Sequence, residues 1–146
     1  NKEKLIMKDV RISYSSNWQK IHWKSIESAY RSSRYFEFYE DEFYPFYHKK
    51  FEFLFDFNEA IREDVFEILG IKNRVIHTQT YLDKIANVSD FRNNFERYQP
   101  EINPLSYHQV FESRNGFIPN LSIIDLIFKN QRWPETRNCP EVLRSL

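Results

Sequence analysis

The side chains best suited to proton transfer or polar recognition fall in two stretches far apart in the chain. His22 has Trp18 four residues before it and Ile26 four after, so on a helix it stands on the apolar side, with Ser25 near by. An imidazole there is either half-buried and hydrogen-bonded to its surroundings, or a general acid/base or ligand contact, since it titrates near neutral pH. One helix does not decide between them. The second stretch holds Tyr107, Gln109, Asn120, Ser122 and Asp125. On a strand, Tyr107 and Gln109 share one face with Phe111. Asn120 is placed to cap a helix. Ser122 and Asp125 interrupt the apolar run Leu121 to Phe128 at i and i+3, and Lys129 continues their stripe. Capping at the positive helix end accounts for both; the alternative is a polar patch that touches substrate. A triad of Ser122, Asp125 and either His22 or His108 is set aside, because no strained nucleophile turn surrounds Ser122.

Other chemistries lack their residues. The four histidines (His22, His48, His77, His108) are scattered, with no HExxH, no CxxC and no acidic calcium loop, so no metal site is expected. Gly70 and Gly116 are the only glycines, too few for a glycine-rich phosphate loop. The single Cys139 excludes an internal disulfide, fits a reducing compartment, and reads as a bystander in a tail. Lys plus Arg and Asp plus Glu both number 21, so the basic excess of a nucleic-acid binder is missing. The balance is uneven along the chain: residues 1–36 carry a surplus of five positive charges and residues 37–67 a surplus of seven negative ones. Those are either solvated faces or a cationic segment that holds an anion. No apolar run approaches the roughly 20 residues of a membrane span, and no signal peptide is visible.

The elements that must position these groups follow from periodicity. Val10, Ile12 and Tyr14 alternate, which predicts a short strand over 9–14. Ser16 and Gln19 match a capping box, and a helix is expected from about 17 to 33 on a stripe of Trp18, Ile21, Ile26, Ala29 and Tyr30. Residues 35–69 read as helical with a junction near Pro45, which suits the first turn of the next helix. That helix carries the stripe Phe51, Leu54, Phe57, Ile61, Val65, Ile68 and Leu69, and Gly70 stops it. Short strands are expected near 74–78 and 107–112. Asn115-Gly116 signals a hairpin, with Phe117-Ile118 as the return. A buried helix then runs from Asn120 to about 130.

The 146 residues include 26 aromatics, 18% of the chain. The cluster from Tyr35 to Tyr47 is either core filling or a stacking platform for a sugar or base. The expected fold class is mixed α/β, helix-dominated: packed helices, a few short strands and a buried C-terminal helix. Residues 1–146 form a single domain or partial domain, with 131–146 an irregular tail.

Two sets of strings resemble the WbqC-like protein family. The first is His22-Trp23-Lys24-Ser25-Ile26, then Ala29-Tyr30 and Tyr35-Phe36-Glu37. The second is Tyr107, Gln109-Val110-Phe111, Gly116-Phe117 and Asn120-Leu121-Ser122-Ile123-Ile124-Asp125-Leu126, with Leu69-Gly70-Ile71 and Asp90-Phe91-Arg92 as weaker support. The resemblance implies a bacterial, cytoplasmic protein of O-antigen or related surface-polysaccharide assembly. It implies a nucleotide-activated sugar as substrate, with transfer of an acyl or aminoacyl group to an amino sugar, and names no cofactor. A non-catalytic module that assembles other pathway enzymes, through protein partners, is the alternative. The family's N-terminal third is expected to be missing here. After Phe128 the chain reads Lys129-Asn130-Gln131-Arg132-Trp133-Pro134 where the family continues with Asn and a Gly-Pro step. The expected site joins His22 and Asp125 as catalytic groups with Tyr107, Gln109, Asn120 and Ser122 as substrate contacts.

Overall fold

The structure is a computed structural model that describes residues 6–72, 75–78, 80, 82, 107–119 and 121–129. Asn120, the 83–106 stretch, Cys139 and the expected tail lie outside the described residues. Five helices form the described part: α1 (Trp18–Tyr30), α2 (Phe36–His48), α3 (Leu54–Leu69), the single turn α4 (Glu112–Asn115) and α5 (Ile123–Lys129).

The α1 helix buries Trp23, with Ile26 and Tyr30 packed beside the same core. Ile21, expected on the apolar stripe, is 61% exposed. The buried face runs Gln19, Trp23, Ile26, Tyr30, and its first member is polar for a reason. Gln19 does not complete a capping box; its Nε2 donates to the carbonyls of Phe46 (3.0 Å) and Lys49 (2.6 Å). Those are acceptors at the end of α2, which an α-helix leaves without internal donors. The α1 start at Asn17 has no side-chain cap.

In α2, Phe36, Tyr39, Phe43 and Phe46 are buried along one face. Most of the aromatic cluster is therefore core, while Phe38 stays 68% exposed. Pro45 lies within the last turn of α2, not at the start of the next helix. Its ring deletes one N–H, but only one turn follows it, so the loss is tolerated there. Lys49 N–H still reaches the Pro45 carbonyl (2.8 Å). The chain then runs extended to Phe53.

This extended piece meets the expected 9–14 strand. Ile12 N–H bonds Glu52 O (3.0 Å) and Leu54 N–H bonds Val10 O (2.8 Å), around an isolated antiparallel bridge between Arg11 and Phe53. No strand grows from it, since helix claims the partner chain from Leu54 onward. The α3 helix ends as expected on Gly70, whose φ of 68° is the left-handed conformation glycine adopts freely. Gly70 N–H to Glu67 O (3.0 Å) and Ile71 N–H to Phe66 O (2.8 Å) complete a Schellman motif.

The short strands are thus corrected: no strand occurs among the described residues. Val75–Thr78 has no ladder partner there, and Ile76 is 90% exposed. At 107–112 the chain turns into α4 in place of a strand. The Glu112 carboxylate accepts the Gln109 N–H (3.2 Å), and Gly116 (φ 68°) closes the turn by donating to Glu112 O (2.9 Å). Asn115-Gly116 therefore ends a helical turn and makes no hairpin.

The core sits where α5 meets α1 and α2. Phe128 is fully buried, with its ring centroid 5.1 Å from Phe36, 5.3 Å from Tyr30 and 5.5 Å from Phe43. Trp23 packs on the same group, 6.2 Å from Phe36. Each such burial is worth about 1.5–3 kcal/mol. Tyr35 N–H also bonds Phe128 O (3.1 Å), satisfying a carbonyl at the end of α5.

Candidate functional site

The polar focus of the described structure is Asp125. Its helix carries Leu126, Ile127 and Phe128 into the core, and that packing draws the Asp125 carboxylate inside to 1% exposure. Oδ1 accepts a long bond from Val110 N–H (3.4 Å). Oδ2 is buried and has no hydrogen-bond partner among the described residues. An orphaned carboxylate oxygen in a folded interior is rare and costly, because buried polar groups are ordinarily paired. Burial pushes the Asp125 carboxyl up, and the Val110 N–H, the Tyr107 hydroxyl and the Lys129 ammonium only partly offset it.

Two phenols feel the charge of the same carboxylate. Tyr107 is pushed up to about 12, first by burial and then by the Asp125 charge. Tyr30, from α1, is raised by the same two causes. Both therefore stay protonated near neutral pH and remain hydrogen-bond donors. A buried carboxylate of raised proton affinity beside neutral phenols can take a proton from an amine or hydroxyl and return it.

The remaining expected site residues divide. Gln109 is buried at 3% exposure, but both ends of its amide are engaged: Nε2 donates to Ile118 O (2.5 Å) and Oε1 accepts from Ile118 N–H (2.8 Å). The side chain stands in for a backbone peptide and clips the two sides of the 107–119 segment together. Ser122 Oγ accepts from Ile124 N–H (3.4 Å) at the start of α5, a capping contact. His22 is not brought to this group. It is exposed on α1, edge-on to Trp18 at 5.4 Å, on the side where Trp18 meets Tyr14 and Phe57. Eight residues separate it from Tyr30, about 12 Å along the helix. His108 pairs instead with Glu112 (3.2 Å), so no Ser-His-Asp arrangement is assembled.

Two further polar groups were not singled out from the sequence. A cavity of about 300 Å³ between α2 and α3 is lined by Phe38, Tyr39, Glu42, Asp64, Glu67 and Ile68. Burial and then the neighbouring Glu67 and Glu63 charges raise Asp64. The acidic surplus of residues 37–67 was its only sequence signal. On the other side of α3, Glu59 accepts from Arg62 Nε (3.1 Å) and lies 2.9 Å from His77 Nε2. No group of three or more metal-binding side chains occurs among the described residues. No helix there is long and apolar enough to cross a membrane.

The described architecture is thus a small aromatic-cored helical unit with one buried, half-satisfied carboxylate. The chain belongs to the WbqC-like protein family, whose model matches residues 1–94. That match covers α1, α2 and α3 and stops short of the Tyr107–Asp125 group. Comparison with curated proteins and with solved structures gives no match.

Proposed function

We propose that this chain acts in bacterial surface-polysaccharide assembly, in the cytoplasm, on a nucleotide-activated sugar. The reaction is transfer of an acyl or aminoacyl group to the amine of an amino sugar. Membership of the WbqC-like family supports the setting. The observation that carries the chemistry is the unpaired, buried Oδ2 of Asp125. The amine nitrogen attacks the donor's carbonyl carbon, the new C–N bond forms, and the bond to the donor's leaving group breaks. Asp125 accepts the amine proton and passes it to the departing group, while Tyr107 donates toward the polar centre. Burial helps here, since a carboxylate of raised proton affinity is the stronger base.

The test is a mass-spectrometric assay of the purified protein with uridine- and thymidine-diphosphate amino sugars and acyl-coenzyme A donors. Turnover that drops about 10²–10⁴-fold in Asp125→Asn is the expected result. Full turnover in that variant overturns the assignment. A second reading, a non-catalytic assembly module, draws on exposed aromatics of α2, Phe38 at 68% and Tyr44 at 44%, since aromatics suit interfaces. Thermal stabilisation by nucleotide sugars favours the enzyme. No such response, with capture of a polysaccharide-pathway enzyme, favours the module.

A further inference from the structure

The Asp125 carboxylate poses a problem of access. It is 1% exposed, yet one oxygen has no partner among the described residues. Packed protein on one side is permanent: Leu126, Ile127 and Phe128 anchor α5 in the core. Against the carboxylate on the other side, among the described residues, lies the 107–119 segment, which is built differently. Inside, it is closely tied. Gln109 clips Ile118 through two hydrogen bonds, Glu112 holds both the Gln109 N–H and His108, and the Tyr107 and Phe117 rings meet edge-on at 6.1 Å. Its attachment to the body is slight among the described residues. Val110 N–H reaches Asp125 Oδ1 at 3.4 Å, Phe111 lies 5.9 Å from the Tyr30 ring, and Tyr107 faces the carboxylate. Its apolar side chains are poorly covered, with Phe111 36% and Ile118 39% exposed.

A unit whose ties among the described residues are mostly internal can open as a body, at less cost than the fold as a whole. We propose that residues 107–119 form a lid that lifts from α5 as one piece and exposes Asp125 Oδ2 to solvent and ligand. This inference rests on the reading of Asp125 as the reacting group, but the motion is measurable without any turnover. When the lid lifts, the Val110 bond breaks, Tyr107 leaves the carboxylate and the Tyr30–Phe111 contact parts. The Gln109–Ile118 clip stays closed, so the segment keeps its shape for return.

Two measurements on the 146-residue chain test it. In native-state hydrogen exchange read residue by residue, the Val110 amide, which lifting frees from Asp125, should exchange at least about tenfold faster than the amides of α1–α3, while the Ile118 amide held by the clip stays protected. A Val110 amide as slow as those of the helices, showing that the segment opens only with global unfolding, overturns the proposal. In the second, Asp125 is labelled with a water-soluble carbodiimide and glycinamide and read by peptide mapping. The native chain should label slowly, and Phe111→Ala, which removes the ring contact to Tyr30, should speed labelling about tenfold while α1–α3 exchange is unchanged. Labelling no faster than in the parent also overturns it. Should Phe111→Ala fail to fold, the exchange experiment on the unaltered chain decides alone. Failure of the Asp125 reading looks different: the lid opens and Asp125 labels, yet Asp125→Asn keeps its turnover.

Discussion

The unit made by α1, α2 and α3 and the half made by the lid and α5 are held by different forces. The first is ring against ring: Trp23, Phe36, Tyr39 and Phe43 bury large faces on one another. The second joins that core through Ile127 and Phe128 of α5, while its 107–119 segment is tied within itself by side-chain to backbone hydrogen bonds. Area burial is undirected and strong, while a hydrogen bond is directional and adds only about 0.5–1.5 kcal/mol net. The difference teaches where chemistry can sit. A region fixed by packing has little freedom to expose a polar group, and a region fixed by local polar clips can keep its shape while it moves.

The largest effect should come from breaking the joint between the halves. Phe128→Ala removes a fully buried ring that touches Tyr30, Phe36 and Phe43. Urea denaturation should show a loss of about 3–5 kcal/mol. A loss below about 1 kcal/mol means that α5 is not seated on the core as described. Next is the clip. Gln109→Ala frees the Ile118 N–H and carbonyl together, at a cost of about 1–3 kcal/mol to the lid's local stability. Hydrogen exchange should rise across 109–118 and stay unchanged in α2 and α3. Spread of the change into α2 blurs the contrast between the halves.

The sign of a pH effect sharpens it further. Burial places the native Asp125 carboxyl above its ordinary value, so the native state holds that proton more tightly than the unfolded chain. The resulting stabilisation is complete below the ordinary carboxylate value of about 3.9 and is lost as pH rises through the elevated native value. Asp125→Asn has no proton to bind, so denaturation midpoints measured from pH 4 to 8 should fall less steeply in the variant. Asp64 is raised in the same direction, so part of the slope should persist. Slopes that coincide in parent and variant mean that Asp125 is solvated in the native state.

Much of the helical unit is legible in the sequence. The Leu54–Leu69 stripe and its Gly70 stop are local signals, and the helix obeys both. The errors have physical causes. Trp23 is not legible as the anchor of α1 because its face begins with Gln19, a polar residue used at a distance on α2 carbonyls. Asn115-Gly116 predicts a hairpin at 107–118, and the two sides do meet there, but a glutamine side chain makes the pairing that a strand's peptide would make. Alternation cannot distinguish the two. Asp125 stood out as a polar residue in an apolar run, whereas its exchange of a helix cap for a bond to Val110 is a tertiary fact. The acidic cavity needed two helices side by side, and charge counting along one chain does not register that.

The smallest expected effect is also the most pointed. His22 stands on the packed unit, exposed and edge-on to Trp18, while the orphaned carboxylate lies under the lid. A side chain so placed contributes little, and His22→Ala should shift stability by no more than about 0.5 kcal/mol. In the nucleotide-sugar assay its turnover should match the parent while Asp125→Asn loses it. Equal damage from both variants requires the two halves to share one reacting centre. The imidazole would then have to cover the distance of more than two helical turns that separates it from Tyr30, and the division between a packed unit and a mobile polar half would fail.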